Sequence, residues 1–323
     1  MKISIALTTY NGDKYLLEQL KSYENQIRKP DEVIICDDVS SDSTIQIITS
    51  FMEKTNLNIK LIKNEKNLGY TKNFAKALSL STGDIVFFSD QDDIWLDNKI
   101  SVIERKFQEN PECLLLIHDA EIVTTELEST ELTKLGQILS GGYTTDDFAT
   151  GTLCALKREL IDISLPFPNG ISGGHDGWIN YIAIKLQKKL VINNVLQKLR
   201  RHENNTSEWI ASTTKKINKL DTLKKQASTK IASSYNDRLL NINELIKRFN
   251  QLEKDKKLSF SVNFIKINDE LIEEKIALEN RNNLVTLNFL PQKLFAIKMF
   301  INNDYKYFNG YKSFIRDLLR GKK

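Results

Sequence analysis

The sequence contains no long apolar segment. No run of about 18 uncharged apolar residues occurs in its 323 residues, although a membrane-spanning helix needs one. The N-terminal residues 1–7 enter a strand pattern directly and lack the regions of a signal peptide. The three cysteines, Cys36, Cys113 and Cys154, are widely spaced in apolar surroundings, which is typical of buried thiols in a reducing compartment. We therefore expect a cytoplasmic protein.

The sequence also lacks the glycine-rich loops that cradle phosphates. Neither GxGxxG nor GxxxxGK[ST] follows the first predicted strand, which argues against an NAD dehydrogenase and a P-loop NTPase. A nucleotide would have to be held in another way. We expect carboxylates to contact its base or ribose, and a metal ion to contact its diphosphate.

Charge is unevenly distributed along the chain. Residues 1–200 hold 22 Lys and Arg against 28 Asp and Glu, which leaves 24 against 14 for residues 201–323. The shift indicates a boundary near residue 200 and a basic second part that faces an anionic partner. Nucleic acid, anionic lipid headgroups and simple solubility would each explain it. Because no RNA- or DNA-binding motif occurs, we expect no nucleic acid.

The first hundred residues alternate strand and helix patterns, which predicts an α/β fold with helices on both faces of a parallel sheet. Apolar runs predict strands at 2–7, 33–36, 59–62 and 85–88, and helical spacing predicts helices at 14–25, 45–52, 69–80 and 97–110. The pattern then weakens, and it predicts a polar loop at 124–145, a helix at 177–186, and strands at 114–117, 151–156, 190–192 and 195–199. Residues beyond 205 have few glycines and predict a helical appendage.

Polar clusters follow three of the predicted strands. They are 8–11, 37–38 and 90–93, and a parallel sheet brings such strand ends to one edge. The last cluster holds three carboxylates in four residues. Their repulsion favours a bound hard cation, and Mg²⁺ or Mn²⁺ carrying a diphosphate suits oxygen ligands. The alternative is a solvated acidic turn that caps the next helix.

These motifs resemble the inverting GT-A glycosyltransferases of family 2. The matching segments are 8–12, 37–44, 67–69 with Asn73, and 90–95, in that order. The resemblance covers residues 1–110 closely and 111–203 more loosely. It implies a GT-A fold, in which helices flank a Rossmann-like mixed sheet, with a catalytic domain at 1–203. A basic helical region at 204–323 would contact the acceptor, a membrane or another subunit.

The resemblance implies a nucleotide site near the first strands. Thr8 and Tyr10 would line the base pocket, and Asp38 would accept a hydrogen bond from the pyrimidine N3–H. Asn11 and Asn67 complete this part of the site. Asp37 would orient the turn or the ribose, although it could equally be a charge at a helix N-terminus.

The resemblance also implies a metal site for Mn²⁺ or Mg²⁺. Asp92 is the candidate for direct ligation, and Asp90 for a ribose or water-mediated contact. Asp93 could substitute for either of them. His202 is a further candidate ligand, since neutral imidazole suits Mn²⁺. Arg200 and its neighbour at 201 could contact the diphosphate or merely solvate a strand end.

The catalytic base implied by the resemblance is Asp176. The family usually has Glu-Asp at this position, whereas this chain has His175 before the Asp. The alternative interpretation of Asp176 is an N-cap of the following helix, and the two roles are compatible. Gly151, Thr152, His175 and Trp178 would lie on the acceptor and sugar side; for Trp178, and for Trp95, packing in the core is the alternative.

Residues 289–301 mix Phe, Leu and Ile with Lys at the spacing of an amphipathic helix. Two interpretations are open: peripheral contact with the inner face of the cytoplasmic membrane, or packing in a helical bundle or homo-oligomer. For the whole chain we expect a metal-dependent inverting transferase in bacterial surface polysaccharide synthesis. Its donor would be dTDP-rhamnose or a UDP-hexose, and its acceptor a saccharide or a lipid-linked precursor. The alternative is a catalytically silent nucleotide-sugar binding or scaffold protein.

Overall fold

The structure, a computed structural model, describes residues 1–171, 173–203, 205, 209–228, 231–255, 260 and 262–319. The chain divides into two compact units. The first comprises Met1–Phe167 and Gly173–Ser228, and the second Pro168–Ser172 and Thr229–Lys323. The division into functional domains at 203/204 stays a prediction.

The first unit is built on a mixed sheet. Over the described residues it has nine strands, namely β1 (Ile3–Thr9), β2 (Glu32–Asp37), β3 (Ile59–Lys63), β4 (Ile85–Ser89), β5 (Ile94–Trp95), β6 (Leu115–Val123), β7 (Ser129–Thr133), β8 (Cys154–Lys157) and β9 (Lys189–Arg200). Their order is β3-β2-β1-β4-β8-β6-β9-β5, with β7 beside β6. The first four strands are parallel, whereas β8 is antiparallel to both of its neighbours. The predicted GT-A type of mixed sheet is confirmed.

Helices flank this sheet. In the first unit they are α1 (Leu16–Glu24), α2 (Thr44–Met52), α3 (Tyr70–Leu80), α4 (Lys99–Glu109), α5 (Lys134–Ser140), α6 (Arg158–Ser164), α7 (Gly174–Lys185) and α8 (Lys219–Ser228). Short 3₁₀ turns occupy Gly151–Leu153 and Ile210–Ser212. The central strands β1, β2 and β4 are buried along their whole length, which explains their continuous apolar runs. Leu16, Leu20 and Tyr23 of α1 pack into the same core.

The segment 124–145 was predicted as a polar loop, and that prediction is wrong. It contains β7 and α5. Its polar side chains build local structure: Thr133 caps α5 by accepting a hydrogen bond from Gly136 N, and the buried Asp119 accepts one from Leu135 N at 2.8 Å. A polar composition therefore concealed an edge strand and a capped helix.

Three other predictions need correction. The strand predicted at 151–156 begins as a 3₁₀ turn and becomes β8 only at Cys154. The two strands predicted at 190–192 and 195–199 form the single strand β9, which continues through a register shift against β6. The two-residue strand β5 and the helix α6 were not predicted.

The second unit is helical, which confirms the predicted C-terminal helical region. Its helices are α9 (Ile231–Asp255), α10 (Phe264–Leu284), α11 (Phe289–Ile301) and α12 (Tyr311–Leu319), with a 3₁₀ turn at Asp304–Tyr307. A buried ion pair joins α10 to α12: Arg281 Nε lies 3.0 Å from Asp317 Oδ2. Among the residues described, no helix is both long enough and apolar enough to span a membrane.

Candidate active site

The polar clusters meet at the carboxyl ends of β1, β2 and β4. Thr9 pairs in register with Asp37, and its hydroxyl donates to Asp37 Oδ1 at 2.8 Å. Gln91 joins the β1 and β4 ends, because its amide accepts from Tyr10 N at 2.9 Å and donates to Tyr10 O at 3.0 Å. The chain segments that follow these strands are therefore held as one surface.

Three carboxylates form a compact group after β4. One oxygen from each of Asp90, Asp92 and Asp93 lies within 4.8 Å of the others. Burial, and then the charges of Asp92 and Asp93, hold the pKa of Asp90 well above its ordinary value. A cation beside these carboxylates would relieve that repulsion, and carboxylate oxygens suit Mg²⁺ or Mn²⁺. The residues present thus fit a divalent metal ion.

Asp93 differs from the other two carboxylates because protein donors occupy both of its oxygens. Thr152 Oγ1 donates to it at 2.9 Å, Gln197 Nε2 at 2.7 Å and Arg200 N at 3.1 Å. Burial, followed by the charge of Asp92, raises its pKa to about 7. Asp93 is therefore placed to tie the β4 turn to β9 and to the 151–153 turn.

Behind Asp93 lies a buried lysine that sequence reasoning missed. Lys99 Nζ donates to Gln197 Oε1 at 2.6 Å and to Thr152 O at 3.2 Å, and it lies 3.7 Å from the centre of the Trp95 ring. Burial lowers its pKa, while the charge of Asp93 acts in the opposite direction. A lysine at the start of an amphipathic helix carries no sequence signal for such a position.

Asp92 and His202 are brought together although 110 residues separate them. His202 Nε2 lies 2.8 Å from Asp92 Oδ2, and Asn205 Nδ2 donates to the same oxygen at 3.0 Å. The ring of Tyr15 packs 4.9 Å from the imidazole, centre to centre. This places both predicted metal ligands at one point, and their role as ligands stays a prediction.

Arg200 holds the turn that carries Asp92. Its guanidinium donates to Asp92 O at 2.9 Å and to Thr125 O at 2.7 Å, and it is paired with Glu18. It also lies 4.5 Å from the centre of the Tyr15 ring. Because Arg200 is almost fully buried, these contacts occupy its guanidinium.

Asp176 lies in the first turn of α7, opposite the 151–153 turn. Its Oδ2 accepts from Gly151 N at 3.0 Å, and its Oδ1 accepts from Gly177 N at 2.9 Å. The next residue of that turn, Thr152, donates to Asp93, so the turn links Asp176 to the carboxylate group. The charge of Asp176 is also among the causes that raise the pKa of Asp90.

His175 packs beneath Gly151. Its ring stacks on Phe74 with centres 4.1 Å apart and meets Phe88 edge-on at 4.9 Å. Neither ring nitrogen has a hydrogen-bond partner within the described structure, and burial lowers its pKa, so the neutral form is favoured. The contact of His175 with an acceptor stays a prediction; in the structure the ring is buried beneath Gly151.

The prediction that Trp178 contacts a sugar is wrong. The side chain is fully buried, and its Nε1 donates to Ser164 O at 3.2 Å inside the core. Trp95 is buried as well, against Tyr23 and Lys99. Both indoles are therefore core residues.

The predicted base pocket is organised by Asp38. This buried carboxylate accepts from Asn64 Nδ2 and Leu68 N at 2.8 Å and from Gly69 N at 2.9 Å, so it shapes the loop before α3. Asn67 Nδ2 closes the loop from the other side by donating to Asp38 O at 3.2 Å. A hydrogen bond from a nucleotide base to Asp38 stays a prediction.

The remaining predicted nucleotide contacts lie beside this loop. Thr8 is nearly buried at the end of β1, whereas Tyr10 is exposed. Asn11 adopts a left-handed backbone with φ of 47°, and its Oδ1 accepts from Ser41 N at 2.9 Å. A separate open groove of about 570 Å³ runs between α1 and β5, where Glu18, Lys21 and Lys198 contribute to its lining. It does not include the carboxylate group.

Comparison with known proteins shows to which family the chain is similar. Residues 4–163 match the model of a family described as Glycosyl transferase family 2. An uncharacterized glycosyltransferase of Nostoc sp., alr2836, is 28% identical over 253 residues, which is 75% of this chain and 77% of that protein. The dTDP-rhamnosyl transferase RfbG of Shigella flexneri is 37% identical over 98 residues, which is 29% of this chain but only 34% of that protein.

Two solved structures share the fold. TarS 1–349 of S. aureus, in complex with UDP-GlcNAc, has a TM-score of 0.56 and 19% identity, and the match covers 98% of this chain and 82% of that chain. The mannosyltransferase PcManGT of Pyrobaculum calidifontis, in complex with GDP-Man and Mn²⁺, has a TM-score of 0.51 and 16% identity, over 98% of this chain and 85% of that chain. At these identities the likeness concerns the fold.

Proposed function

The chain belongs to glycosyl transferase family 2, and from that premise we propose that it is a metal-dependent, inverting transferase. The donor is a pyrimidine nucleotide-sugar, and the acceptor is a saccharide or a lipid-linked saccharide precursor. The observation that carries the proposal is that adjacent residues of one turn contact both Asp176 and the Asp90–Asp92–Asp93 group: Gly151 N donates to Asp176 Oδ2 at 3.0 Å, and Thr152 Oγ1 donates to Asp93 Oδ2 at 2.9 Å. One carboxylate there is available as a base, beside others that suit a metal ion.

Transfer with inversion needs one base. The acceptor oxygen attacks the anomeric carbon as the bond from that carbon to the diphosphate oxygen breaks. Asp176 takes the proton of the attacking hydroxyl. Its carboxylate is held in position by hydrogen bonds from Gly151 N and Gly177 N.

The leaving diphosphate needs a counter-charge. Asp90 and Asp92, with His202, are the proposed ligands of Mn²⁺ or Mg²⁺, and the ion when bound supplies Lewis-acid stabilisation of the diphosphate. Asp93 is not a proposed ligand, because Thr152, Gln197 and Arg200 occupy its oxygens. Its role is to hold the ligand turn in place.

The base pocket is assigned to Thr8, Tyr10, Asn11, Asp38 and Asn67. A dTDP-rhamnose donor is proposed first, since RfbG is described as a dTDP-rhamnosyl transferase, and a UDP-hexose second, since TarS is described in complex with UDP-GlcNAc. The process is synthesis of a bacterial surface polysaccharide or its precursor.

Thermal unfolding with dTDP, UDP and GDP, each with and without Mn²⁺, tests the site and selects the donor. A ligand at about 100 times its Kd stabilises the folded protein by roughly 2.7 kcal/mol, which raises Tm by several degrees. We expect a shift with one pyrimidine diphosphate that needs Mn²⁺ and disappears in Asp92→Ala. A lack of response to every nucleotide would contradict the proposed donor site.

Asp176→Asn separates an enzyme from a catalytically silent binding protein. An enzyme should lose about 10²- to 10⁴-fold in transfer rate while its nucleotide-induced Tm shift remains. The exposed Asp162 on α6 is the matched control, and Asp162→Asn should leave both quantities unchanged. Unchanged turnover in Asp176→Asn would remove this residue from the mechanism.

A further inference from the structure

One side of α11 is apolar and exposed. Leu290, Leu294, Ile297 and Ile301 follow one another at steps of four, three and four residues, so they form a single stripe. Leu290, Leu294 and Ile301 are 67%, 62% and 76% exposed. The opposite stripe is buried in the second unit and consists of Gln292, Ala296 and Met299.

The next helix repeats this arrangement. Tyr311, Ile315 and Leu319 of α12 lie one turn apart and are exposed. The two helices are in contact, because the ring of Phe300 on α11 stacks on Phe314 of α12 at 4.3 Å between centres. We call the seven exposed side chains the C-terminal apolar face: Leu290, Leu294, Ile297, Ile301, Tyr311, Ile315 and Leu319.

The exposed charged side chains within residues 285–319 are of one sign. Residues 285–319 include two acids, and both are buried: Asp304 accepts from Asn280 Nδ2 at 2.9 Å, and Asp317 accepts from Arg281 Nε at 3.0 Å. Cations of the same segment are exposed instead. Lys298, Lys312 and Arg316 are exposed, and within the described part of the chain no ion pair involves them.

We propose that the C-terminal apolar face docks on an anionic lipid surface. Apolar side chains flanked by cations match a bilayer interface, where acyl chains lie beneath negatively charged headgroups. A symmetric dimer through the same face is disfavoured, because it would bring the cations of one copy against those of the other. The proposal is independent of the transfer chemistry, since none of these residues belongs to the candidate active site.

Co-sedimentation of the full chain with vesicles tests the proposal. Vesicles of phosphatidylcholine alone are compared with vesicles that contain about 30 mol % phosphatidylglycerol. We expect at least about tenfold tighter partitioning onto the anionic vesicles, and weaker partitioning as salt rises. In Lys298→Glu and Arg316→Glu the partition coefficient should fall about fivefold or more each, the contribution of one cation near such a surface.

A separate variant and a matched control test the contribution of the apolar side chains to vesicle binding. Leu294→Glu should lower the partition coefficient about tenfold or more, because a charge replaces buried apolar contact. Ile265, on α10 of the same unit and 69% exposed, is the matched control, and Ile265→Glu should leave binding within about twofold of the wild type. Circular dichroism of each variant confirms that its helices are intact.

Three results would overturn the proposal. The first is equal binding to both vesicle compositions. The second is an equal loss of binding in Ile265→Glu and Leu294→Glu. The third is a wild-type dimer in analytical ultracentrifugation that Leu294→Glu converts to a monomer without a change in vesicle binding, which would assign the face to a second copy of the chain.

Discussion

Gly151 has no room for a side chain. A Cβ atom at this position would lie 2.9 Å from His175 Nε2 and 3.6 Å from the Cβ of Asp176. The imidazole cannot easily retreat, because Phe74 and Phe88 pack against it. The glycine therefore sets the distance between the 151–153 turn and the proposed base.

Gly151→Ala should consequently lower the transfer rate by about 10²-fold, since a misplacement of roughly 1 Å has that effect on a catalytic group. Nucleotide binding, followed by thermal shift, should persist. In the double variant Gly151→Ala/His175→Ser, the smaller side chain at position 175 makes room for the added methyl group. This variant should recover part of the lost rate. An unchanged rate in the single variant would show that Asp176 does not depend on this packing.

Lys134, at the start of α5, has a buried ammonium group. Its ammonium donates to the hydroxyl of Ser212 and lies 4.6 Å from the centre of the Trp209 ring. Burial, reinforced by the charge of Arg201, lowers the pKa of Lys134 to about 7. The unfolded chain keeps a pKa of roughly 10.4 at this residue.

The unfolding free energy should therefore rise with pH. Between the folded and unfolded pKa values the unfolded state binds one more proton, so Lys134 contributes a slope of up to about 1.4 kcal/mol per pH unit. Below about pH 7 Lys134 is protonated in both the folded and the unfolded state, so it no longer contributes to the slope. Urea titrations from roughly pH 7.5 to 9 should give a flatter slope for Lys134→Met than for the wild type. The exposed Lys66 provides the control: a Lys66→Met slope as flat as that of Lys134→Met would contradict the assignment.

At the scale of elements, the start of α3 depends on one backbone conformation. Gly69 has φ of 77° and ψ of 154°, a region that only glycine adopts readily. Its N–H donates to Asp38 Oδ2 at 2.9 Å, so this conformation completes the loop that surrounds the carboxylate. No atom lies within 4 Å of a Cβ built there, so a substitution would meet backbone strain rather than a clash.

Gly69→Ala should cost about 1–3 kcal/mol of unfolding free energy from that strain, and it should weaken nucleotide binding if the loop forms the base pocket. Denaturant titration measures the first effect and thermal shift the second. Asn303 is the control, because its αL conformation (φ of 61°, ψ of 21°) suits both Asn and Gly, and Asn303→Gly should change stability little. Wild-type stability in Gly69→Ala would mean that this backbone conformation is not retained in solution.

The predicted elements succeed or fail for local reasons. The strands β1, β2 and β4 were predicted because a buried parallel strand is an uninterrupted apolar run. The helix α5 was missed, since it is short and its first residue is a buried lysine whose partners, Ser212 and Trp209, lie more than 70 residues away. A pattern along the chain records burial only when the buried face is apolar.

At the scale of the whole molecule, the two compact units have separate interiors. The second unit is joined internally by Arg281 and Asp317, which are both buried and which link α10 to α12. Tyr305 OH also donates to Asp317, at 3.2 Å. Removal of one partner would leave a buried charge without compensation.

Asp317→Ala should destabilise the second unit by about 3–5 kcal/mol. The proposed nucleotide site lies wholly in the first unit, so the nucleotide-induced Tm shift should persist. Differential scanning calorimetry with and without the nucleotide measures both effects. Asp269→Ala, at an exposed position of α10, should change neither. Loss of the nucleotide response in Asp317→Ala would show that the donor site depends on the second unit.

The sequence by itself determined the order of the strand–helix units and the family, because apolar periodicity and short motifs are local properties of the chain. It also located the acidic segment 90–93 and Asp176. Only the tertiary structure decided which partners each carboxylate has. Asp92 contacts His202. Asp93 instead accepts hydrogen bonds from Thr152, Gln197 and Arg200. These partners lie 59 to 110 residues away in the chain. The different surroundings of the carboxylates thus depend on long-range contacts that no local pattern contains.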